Sequence, residues 1–442
     1  MSLLYRLKSH IPAKWLLPYH YALARFAAFF YGHPARKLVV IGVTGTNGKT
    51  TTSYLIAKAL EASGHQTACT TTAIMKVGEK EWINRTKMTM PGRFFVQRML
   101  RDMVNAGCKY AVIETSSQGL VQYRHLGVEY DIAVFTNLTP EHLESHGGFE
   151  AYKQAKAVLF KAVAEAPSKT IEGKPVSKAF VLNRASDHAD FYASQGPEVR
   201  NLRYGLQEQE GDLVATNIVY QAKSTTCRVD GAPLSLSLPG KHNLENALAA
   251  LGVCRVLGVD LRGAAKKLSE VPGVPGRLER VEAGQPWTVI IDYAYEPEAL
   301  QKCLDALKVV PHKRLIHVLG SCGGGRDVSR RPLLGAFAAK HADIAIVTNE
   351  DPYDEHPQGI IDQIIAGAVA EGRVLNEGIY SILDRQAAIN KAMEFAQPGD
   401  LVLLTGKGCE PWICVADGKK LPWDERTAAE QAIKTALARK GV

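Results

Sequence analysis

The sequence lacks paired cysteines, long apolar runs and blocks of like charge. Its eight cysteines form no Cys-X-X-Cys pair, which argues against a disulfide framework or a zinc knuckle and indicates a reducing compartment. No apolar run is long enough to span a bilayer, and no signal-like core precedes a small-residue cleavage site, so we expect a cytoplasmic protein. The net charge of +8 is spread along the chain, which suits an anionic substrate or a membrane surface and does not indicate nucleic-acid binding.

The chain does contain enough apolar sequence for several cores. Its 442 residues are 46% hydrophobic and 22% charged, which predicts a globular protein of two or three domains, and we expect a monomer. The turn-rich passage Val271–Gly276 marks a boundary. We therefore predict a short helical segment over residues 1–36, a central domain over 37–275 and a carboxyl-terminal domain over 276–442.

The first 34 residues, MSLLYRLKSHIPAKWLLPYHYALARFAAFFYGHP, interleave basic and aromatic side chains. Pro12 and Pro18 are expected to break this segment into short amphipathic helices. Such helices can lie in a lipid headgroup layer. They can equally pack on the next domain, as apolar helical stripes usually do, so the sequence leaves both interpretations open.

The stretch Val40–Thr52, VIGVTGTNGKTTT, looks like a phosphate-binding loop with one glycine displaced. The usual pattern G-x-x-x-x-G-K-[ST] requires glycine six residues before Lys49, where this chain has Val43. The context still fits, because an apolar strand pattern leads through a glycine-bearing turn into a helical pattern over Lys49–Leu60, and helix N-termini bind phosphate. A turn that binds nothing is the alternative, which the lysine and the threonines make unattractive. The predicted nucleotide contacts are Gly45, Thr46, Asn47, Gly48, Lys49, Thr50 and Thr51.

Strand and helix signals alternate after this loop, which predicts an α/β fold: a central domain of the P-loop ATPase type with a parallel sheet. Ligands bind at the carboxyl ends of such strands. Glu114 and His142 follow two of them, so they are candidate ligands of Mg²⁺ near the loop. The predicted strands are Tyr110–Ile113, Ile132–Phe135 and Phe180–Leu182, and the predicted helices are Arg93–Asn105 and Phe149–Glu165.

A second βα series follows Gly276 and predicts a Rossmann-like carboxyl-terminal α/β domain. Its polar residues again follow the strands, in the passages GSCGGGRD and GKGCE among others. The predicted strands are Thr288–Ile291, Leu315–Leu319, Ile344–Val347 and Leu401–Leu404, and the predicted helices include Glu298–Leu307 and Gln358–Ala370.

Several long motifs occur in a familiar order: TGTNGKTT, ETSSQGLVQ, FTNLTPEHLESHGGFEAYKQAKAVLF, GKHNLENALAA, GRLERV, DYAYEPEAL, GSCGGGRDVSRRPLLG and GKGCE. In this order they resemble the Mur ligases, and most closely those members that add the third residue of the peptidoglycan stem peptide. The resemblance runs from about Lys37 to the carboxyl end. It implies a ligase in which ATP phosphorylates a peptide carboxylate and the amine of an incoming amino acid attacks the acyl phosphate.

The resemblance also implies roles for residues around the nucleotide. Lys49, Glu114, His142 and Lys156 would be catalytic, with Thr50, Glu114, His142 and a carbamylated Lys156 serving Mg²⁺. Asn243 and Asn246 match a pair near the adenine, Arg277 the start of the closing domain, and Asp292 a ribose contact. Tyr295 replaces a histidine expected near the ATP phosphates.

The acceptor side agrees with the family only in part. Ser116, Ser117, Gln122 and Arg124 match its sugar-peptide contacts, whereas the TTP-D signature reads Thr89-Met90-Pro91-Gly92. Only about 36 residues precede the first strand, so the usual UDP-binding domain is not expected. The implied acceptor is a muramoyl peptide, either UDP-linked and held by its peptide end or lipid-linked, and a compound other than a muropeptide is the alternative.

The amino-acid pocket departs from the diaminopimelate-adding pattern D-N-P-R, since this chain reads Glu350-Asp351-Pro352-Tyr353. Without that arginine a distal carboxylate would lack its bidentate partner. Asp351 with Glu410 would favour a cationic side chain such as lysine or ornithine, so a basic amino acid is expected over diaminopimelate. The implied substrate contacts are Thr89, Ser116, Ser117, Gln122, Arg124, Arg326, Asp351, Tyr353, Gly406 and Glu410. Two alternatives remain: another ligase of the superfamily, such as a folylpolyglutamate synthetase-like or poly-amino-acid enzyme, and a nucleotide-binding scaffold without catalysis.

Overall fold

The computed structural model describes residues 13–139, 146–207, 211–325 and 328–440. For residues 13–16 only the backbone is described. The contacts within the chain group it into two compact units. We call Ser2–Pro272 the first unit and Gly273–Val442 the second unit.

The first unit is built on an eleven-stranded sheet whose centre is parallel. Strand β1 lies between β5 and β6 and pairs in parallel with both, whereas antiparallel pairs close the two edges. In spatial order the strands are β13 (Ala232–Leu236), β12 (Thr225–Val229), β11 (Leu213–Tyr220), β10 (Arg200–Leu206), β9 (Ala179–Asn183), β6 (Ile132–Phe135), β1 (Val39–Thr44), β5 (Cys108–Glu114), β2 (Gln66–Thr70), β3 (Ile74–Val77) and β4 (Lys80–Ile83). A separate hairpin joins β7 (Thr170–Ile171) and β8 (Lys174–Pro175).

Helices follow most of these strands, as the alternation of patterns predicts. The three predicted helices of this unit are confirmed with their bounds, and the parallel centre confirms the predicted α/β class. The central strand β1 is buried along its whole length, as strands covered on both faces are. The helices of the unit are α1 (Ala13–Phe30), α2 (Lys49–Leu60), α3 (Arg93–Asn105), α4 (Ser117–Val121), α5 (Phe149–Glu165), α6 (Ala189–Ala193), α7 (Lys241–Val256) and α8 (Leu261–Ser269).

The prediction that Pro18 breaks the amino-terminal segment is wrong. Helix α1 runs through Pro18 without interruption. A proline removes a single helical N–H, and the rest of the helix keeps its hydrogen bonds. Pro12 lies outside the described residues. Within the described ranges, no helix has both the length and the apolarity needed to cross a bilayer.

The second unit contains a seven-stranded sheet that is parallel except for its pair β14–β15. The spatial order is β14 (Glu279–Val281), β15 (Thr288–Ile291), β20 (Leu401–Leu404), β16 (Leu315–Leu319), β17 (Ile344–Val347), β19 (Gly378–Ser381) and β18 (Val374–Leu375). Strands β21 (Trp412–Cys414) and β22 (Lys420–Pro422) form a hairpin. The helices are α9 (Pro297–Leu307), α10 (Arg330–His341), α11 (Pro357–Ala370), α12 (Arg385–Phe395) and α13 (Glu425–Lys440).

A buried histidine makes the second unit sensitive to acid. His317 lies in β16, its Nε2 is 2.9 Å from Thr405 Oγ1, and burial lowers its pKa to about 3. Since an unfolded histidine has a pKa of about 6.5, the unfolded chain binds a proton between these values that the folded chain excludes. We therefore expect this histidine to lower the free energy of unfolding by about 1.4 kcal/mol for each pH unit below 6.5.

The measurement is urea unfolding followed by circular dichroism between pH 7 and pH 4.5. The His317→Gln variant should lose stability less steeply over this range than the unmodified chain. His312→Gln, at an exposed position of the same unit, is the control and should keep the original slope. Equal slopes for His317→Gln and the unmodified chain would contradict the assignment.

Candidate active site

The glycine-bearing turn between β1 and α2 is shorter than the usual phosphate-binding loop of the G-x-x-x-x-G-K-[ST] type. Val43 still belongs to β1 and is fully buried, so the missing glycine is a strand residue here. Gly45 and Gly48 have φ values of 151° and 82°. A Cβ at Gly45 would overlap the Thr136 hydroxyl, and one at Gly48 would lie 2.5 Å from Asn246 Oδ1. Both positions therefore require glycine.

The residues that follow β6 hold this turn in shape. Thr46 N donates to the Asn137 carbonyl at 2.8 Å, and Asn47 N donates to Asn137 Oδ1 at 2.9 Å. The Asn47 carbonyl in turn accepts from Thr136 Oγ1 at 2.7 Å and from Asn137 Nδ2 at 3.1 Å. Thr136 and Asn137 follow the predicted strand Ile132–Phe135, but the sequence indicates no role for them. Their hydrogen-bond partners in the turn lie about ninety residues earlier in the chain.

A lysine ammonium lies at the start of α2. The helix starts at Lys49 after Gly48, which has no side chain to cap it. The Lys49 ammonium donates to the Thr46 carbonyl at 2.6 Å, so it lies over the turn. Thr50 and Thr51 are buried in the first helical turn. A helix N-terminus with an adjacent lysine is suited to a phosphate group.

The Thr50 hydroxyl meets a carboxylate at the end of β5. Thr50 Oγ1 donates to Glu114 Oε2 at 3.0 Å, and Glu114 also accepts from Thr72 N at 2.6 Å and Thr72 Oγ1 at 3.0 Å. Thr89 Oγ1 lies 2.8 Å from Thr72 Oγ1. The donor set suits Mg²⁺ on a phosphate-loop threonine, whose other ligands are phosphate oxygens and water. His142 lies outside the described residues. Within the described ranges, no group of three His, Cys, Asp or Glu side chains is placed to hold a metal ion.

Lys156 lies in the interior beside the same turn. It belongs to α5 and only 1% of it is exposed, so the position is not a surface one. Its Nζ donates to the Gly45 carbonyl at 2.7 Å and lies 4.2 Å from the centre of the Tyr152 ring. The Tyr152 hydroxyl is 3.3 Å from Thr46 Oγ1. The lysine and the turn therefore form one cluster.

The asparagine pair on α7 also reaches the turn. Thr52 Oγ1 donates to Asn246 Oδ1 at 3.0 Å, and Asn246 Nδ2 donates to Asn243 Oδ1 at 3.4 Å. Asn243 Nδ2 donates to the Pro239 carbonyl at 2.9 Å. Both amides are buried, and Asn246 supports α2 directly.

The residues matched to acceptor contacts lie at the start of α4 and just beyond it. Ser116 caps the helix by accepting from Gly119 N at 3.1 Å. Arg124 donates to Gln122 Oε1 at 2.7 Å and to the Met90 carbonyl. Burial lowers the pKa of Arg124 from its ordinary value, although it remains a cation at neutral pH.

A histidine without an assigned role joins this group. His146 Nε2 lies 3.0 Å from Ser117 Oγ, and its ring centre is 5.2 Å from that of Tyr152. It thereby connects the acceptor residues with the Lys156 cluster. The motif HLESHGG contains it, but nothing in the sequence distinguishes it from a solvated histidine.

In the second unit, one lysine connects two of the predicted amino-acid contacts. Lys407 is buried and donates to Asp351 Oδ1 at 3.1 Å and to Glu410 Oε2 at 2.8 Å. Asp351 also accepts from Cys414 N at 2.7 Å, and Glu410 accepts from the Tyr293 hydroxyl at 3.0 Å. The acidic charge of Asp351 is thus already compensated inside the protein.

Glu350 is an acidic residue of the same motif as Asp351, and it was not predicted from the sequence as a substrate contact. It is 2% exposed, its Oε1 accepts from Cys322 Sγ at 3.1 Å, and its Oε2 has no hydrogen-bond partner. Burial raises its pKa above the ordinary value. Gly406, with a φ of 96°, lies so close to this carboxyl group that a Cβ there would overlap it. A buried oxygen without a donor is costly unless a ligand supplies one.

A buried ion pair fixes the loops around Glu350. Arg385 donates to Glu425 through Nε at 2.9 Å and Nη2 at 2.5 Å. The same guanidinium donates to the carbonyls of Thr405 at 2.8 Å and Asn349 at 3.3 Å, at the ends of two strands. Tyr353 follows with a φ of 52° and donates its N–H to the Cys414 carbonyl at 3.1 Å. Arg326 lies outside the described residues.

Cations stand over the aromatic residues that follow β15. The Arg277 guanidinium lies 4.6 Å above the Tyr293 ring, and that of Arg330 lies 5.2 Å from the Tyr295 ring. Arg330 thus brings positive charge to the position where tyrosine replaces the expected histidine. Asp292 accepts from Leu278 N and Ala294 N, each at 2.7 Å, and burial raises its pKa.

Comparisons with known proteins identify the family of the chain. The model of the Mur ligase middle domain matches residues 43–254, and that of the Mur ligase glutamate ligase domain matches residues 276–408. A UDP-N-acetylmuramyl-tripeptide synthetase of Roseiflexus sp. is 42% identical over 419 residues, covering 93% of this chain and 82% of the relative.

Solved structures give the same result. A UDP-N-acetylmuramoyl-L-alanyl-D-glutamate–2,6-diaminopimelate ligase superposes with a TM-score of 0.58 at 31% identity, covering 90% of this chain and 78% of that one. Folylpolyglutamate synthase of Mycobacterium tuberculosis, complexed with ADP and AMPPCP, has a TM-score of 0.66 at 17% identity over 87% of this chain and 91% of its own, which is a likeness of fold. The chain belongs to the Mur ligases, a family of ATP-dependent ligases that form amide bonds.

Proposed function

We propose that this Mur ligase adds a basic amino acid to a muramoyl peptide, as a monomer in the cytoplasm. The observation that carries the proposal is the contact between Thr50 and Glu114 beside the glycine turn, because it supports a magnesium nucleotide there. The identity to a tripeptide synthetase supports the acceptor class.

The first unit would activate the acceptor. Lys49 would neutralise the terminal phosphates of ATP, and the N-terminus of α2 would orient them. Thr50 and Glu114 would hold Mg²⁺, which when bound offsets the negative charge on the transferred phosphoryl group. A carbamylated Lys156 would present a carboxylate to a second metal ion from its place beside Gly45. Arg124 and Ser117 would orient the peptide carboxylate.

The second unit would select the amino acid. The Lys407 ammonium bonds Asp351 and Glu410, whereas Glu350 Oε2 has no hydrogen-bond donor. An ammonium side chain could supply the donor that Glu350 Oε2 lacks, and its charge would favour the ionised carboxylate. Tyr353 offers no charge to a distal carboxylate. These features support lysine or ornithine over diaminopimelate.

The test is an amino-acid screen for ADP formation with UDP-linked and lipid-linked muramoyl dipeptides. We expect kcat/KM for lysine or ornithine to exceed that for diaminopimelate by at least about tenfold, since a charge left without its partner costs more than 1.4 kcal/mol. Glu350→Gln should reduce this ratio, and Tyr353→Phe, which also lacks charge, is its control. A preference for diaminopimelate in the unmodified chain would refute the pocket assignment.

A further inference from the structure

One face of α1 exposes four large aromatic side chains. All four are about half exposed or more, and Phe29 is exposed most, at 71%. Such a concentration on a single helix is uncommon for a surface that faces only water. The members of this aromatic face are Tyr19, Phe26, Phe29 and Phe30.

The opposite face of the same helix explains why the rings point outward. Ala24, Ala27 and Ala28 are buried, and Ala28 packs so closely on Gly127 that a Cβ there would lie 2.5 Å away. Arg101 on α3 donates to the Tyr31 carbonyl at 3.0 Å and holds the end of the helix. The small residues thus dock α1 on the first unit, and its rotation is fixed.

Neighbouring residues extend the aromatic face and make it basic. Phe94 on α3 lies 6.1 Å from the rings of both Phe26 and Phe30. Arg98, one helical turn after Phe94, and Arg25 on α1 are both exposed. No Asp or Glu occurs among residues 1–60 of the sequence. Arg25 and Arg98 therefore make the surroundings of the aromatic face basic, with Asp102 further along α3 as an exposed acid.

We propose that the aromatic face of α1 binds the surface of an anionic lipid bilayer. Aromatic rings inserted at the headgroup level and arginines beside anionic headgroups are the two contributions that hold an interfacial helix on a membrane. A second copy of the chain fits this face less well, because the pairing would bring like charges together. The charge of the surface therefore selects a bilayer as the occupant.

The position of this face has a consequence for the acceptor, which rests on the proposed function. Arg93, next to Phe94 on α3, donates to the Gln122 carbonyl, and Gln122 and Arg124 are among the residues matched to acceptor contacts. A bilayer at the aromatic face would be next to this segment. The arrangement would suit a muramoyl peptide carried on a membrane lipid.

The test is co-sedimentation of the full chain with vesicles, without nucleotide or substrate. We expect binding to phosphatidylcholine vesicles that contain phosphatidylglycerol, and at least about tenfold weaker binding without the anionic lipid. The combined variant Phe26→Ser, Phe29→Ser, Phe30→Ser should lose at least about tenfold in partition coefficient. Leu333→Ser with Val369→Ser removes exposed apolar side chains of the second unit and should bind like the unmodified chain.

Results that differ from these expectations would overturn the proposal. Failure of the unmodified chain to bind anionic vesicles refutes it directly, as does equal loss of binding in both variants. Light scattering that finds a dimer dissociated by the Phe variant would assign the face to a second copy. ADP formation with a soluble UDP-linked acceptor should be the same in the Phe variant and the unmodified chain, so ligase activity and lipid binding are judged separately.

Discussion

Replacing Lys49 by methionine is expected to lower ADP formation by at least about a thousandfold. The ammonium lies over the glycine turn, 2.6 Å from the Thr46 carbonyl, where it would meet the transferred phosphoryl group. Removing a cation that stabilises such a transition state typically costs three or more orders of magnitude. The measurement is the initial rate of ADP release at saturating muramoyl dipeptide and lysine.

Lys58→Met provides the matched control, because this lysine lies on the same helix and pairs with Glu81 at its far end. It should turn over at nearly the rate of the unmodified chain. Thermal unfolding of Lys49→Met should remain close to that of the unmodified chain, since its ammonium makes one backbone contact. If Lys49→Met formed ADP at an undiminished rate, the turn would not be the phosphate site.

Replacing Lys156 by alanine is expected to lower turnover by at least about a hundredfold when bicarbonate is supplied. The reason is that a carbamate on this lysine would provide the carboxylate for a metal ion, and alanine cannot form one. The loss should be partly reversed by acetate or propionate, which bring a carboxylate into the space left by the side chain. Chloride at the same ionic strength should not restore activity.

The control for this substitution is Lys161→Ala, on the exposed side of the same helix. It should turn over and respond to bicarbonate as the unmodified chain does, and acetate should not raise its rate. Alanine at position 156 also removes the hydrogen bond to the Gly45 carbonyl, so a loss of activity without rescue would indicate support of the turn alone. Undiminished turnover of Lys156→Ala at controlled CO₂ would exclude a carbamate role.

Elements with a strong local signal could be predicted from the sequence. The helices over Lys49–Leu60 and Phe149–Glu165 have the predicted bounds, because glycine precedes each of them and apolar residues recur at helical spacing. The short antiparallel strands at the sheet edges were not predicted, since segments such as Lys80–Ile83 carry little apolar pattern. Pro18 misled the prediction because a single missing N–H does not end a helix.

The site was predictable in its residue types and less so in its contacts. A motif can place Glu114 after a strand, and the structure adds that its oxygens bind Thr50 and Thr72. Burial of Lys156 and the missing partner of Glu350 Oε2 depend on segments far apart in sequence, so no local pattern reports them. The roles of the other candidate residues remain predictions that the proposed experiments test.

The contact between Gly48 and Asn246 has a consequence for how the protein is made. The end of the glycine turn rests against a side chain that is translated almost two hundred residues later, and Thr52 donates to the same amide. Contacts of such long range form late in folding. A nascent chain that ends before α7 should therefore be unable to retain nucleotide, even though its central strands have already been synthesised.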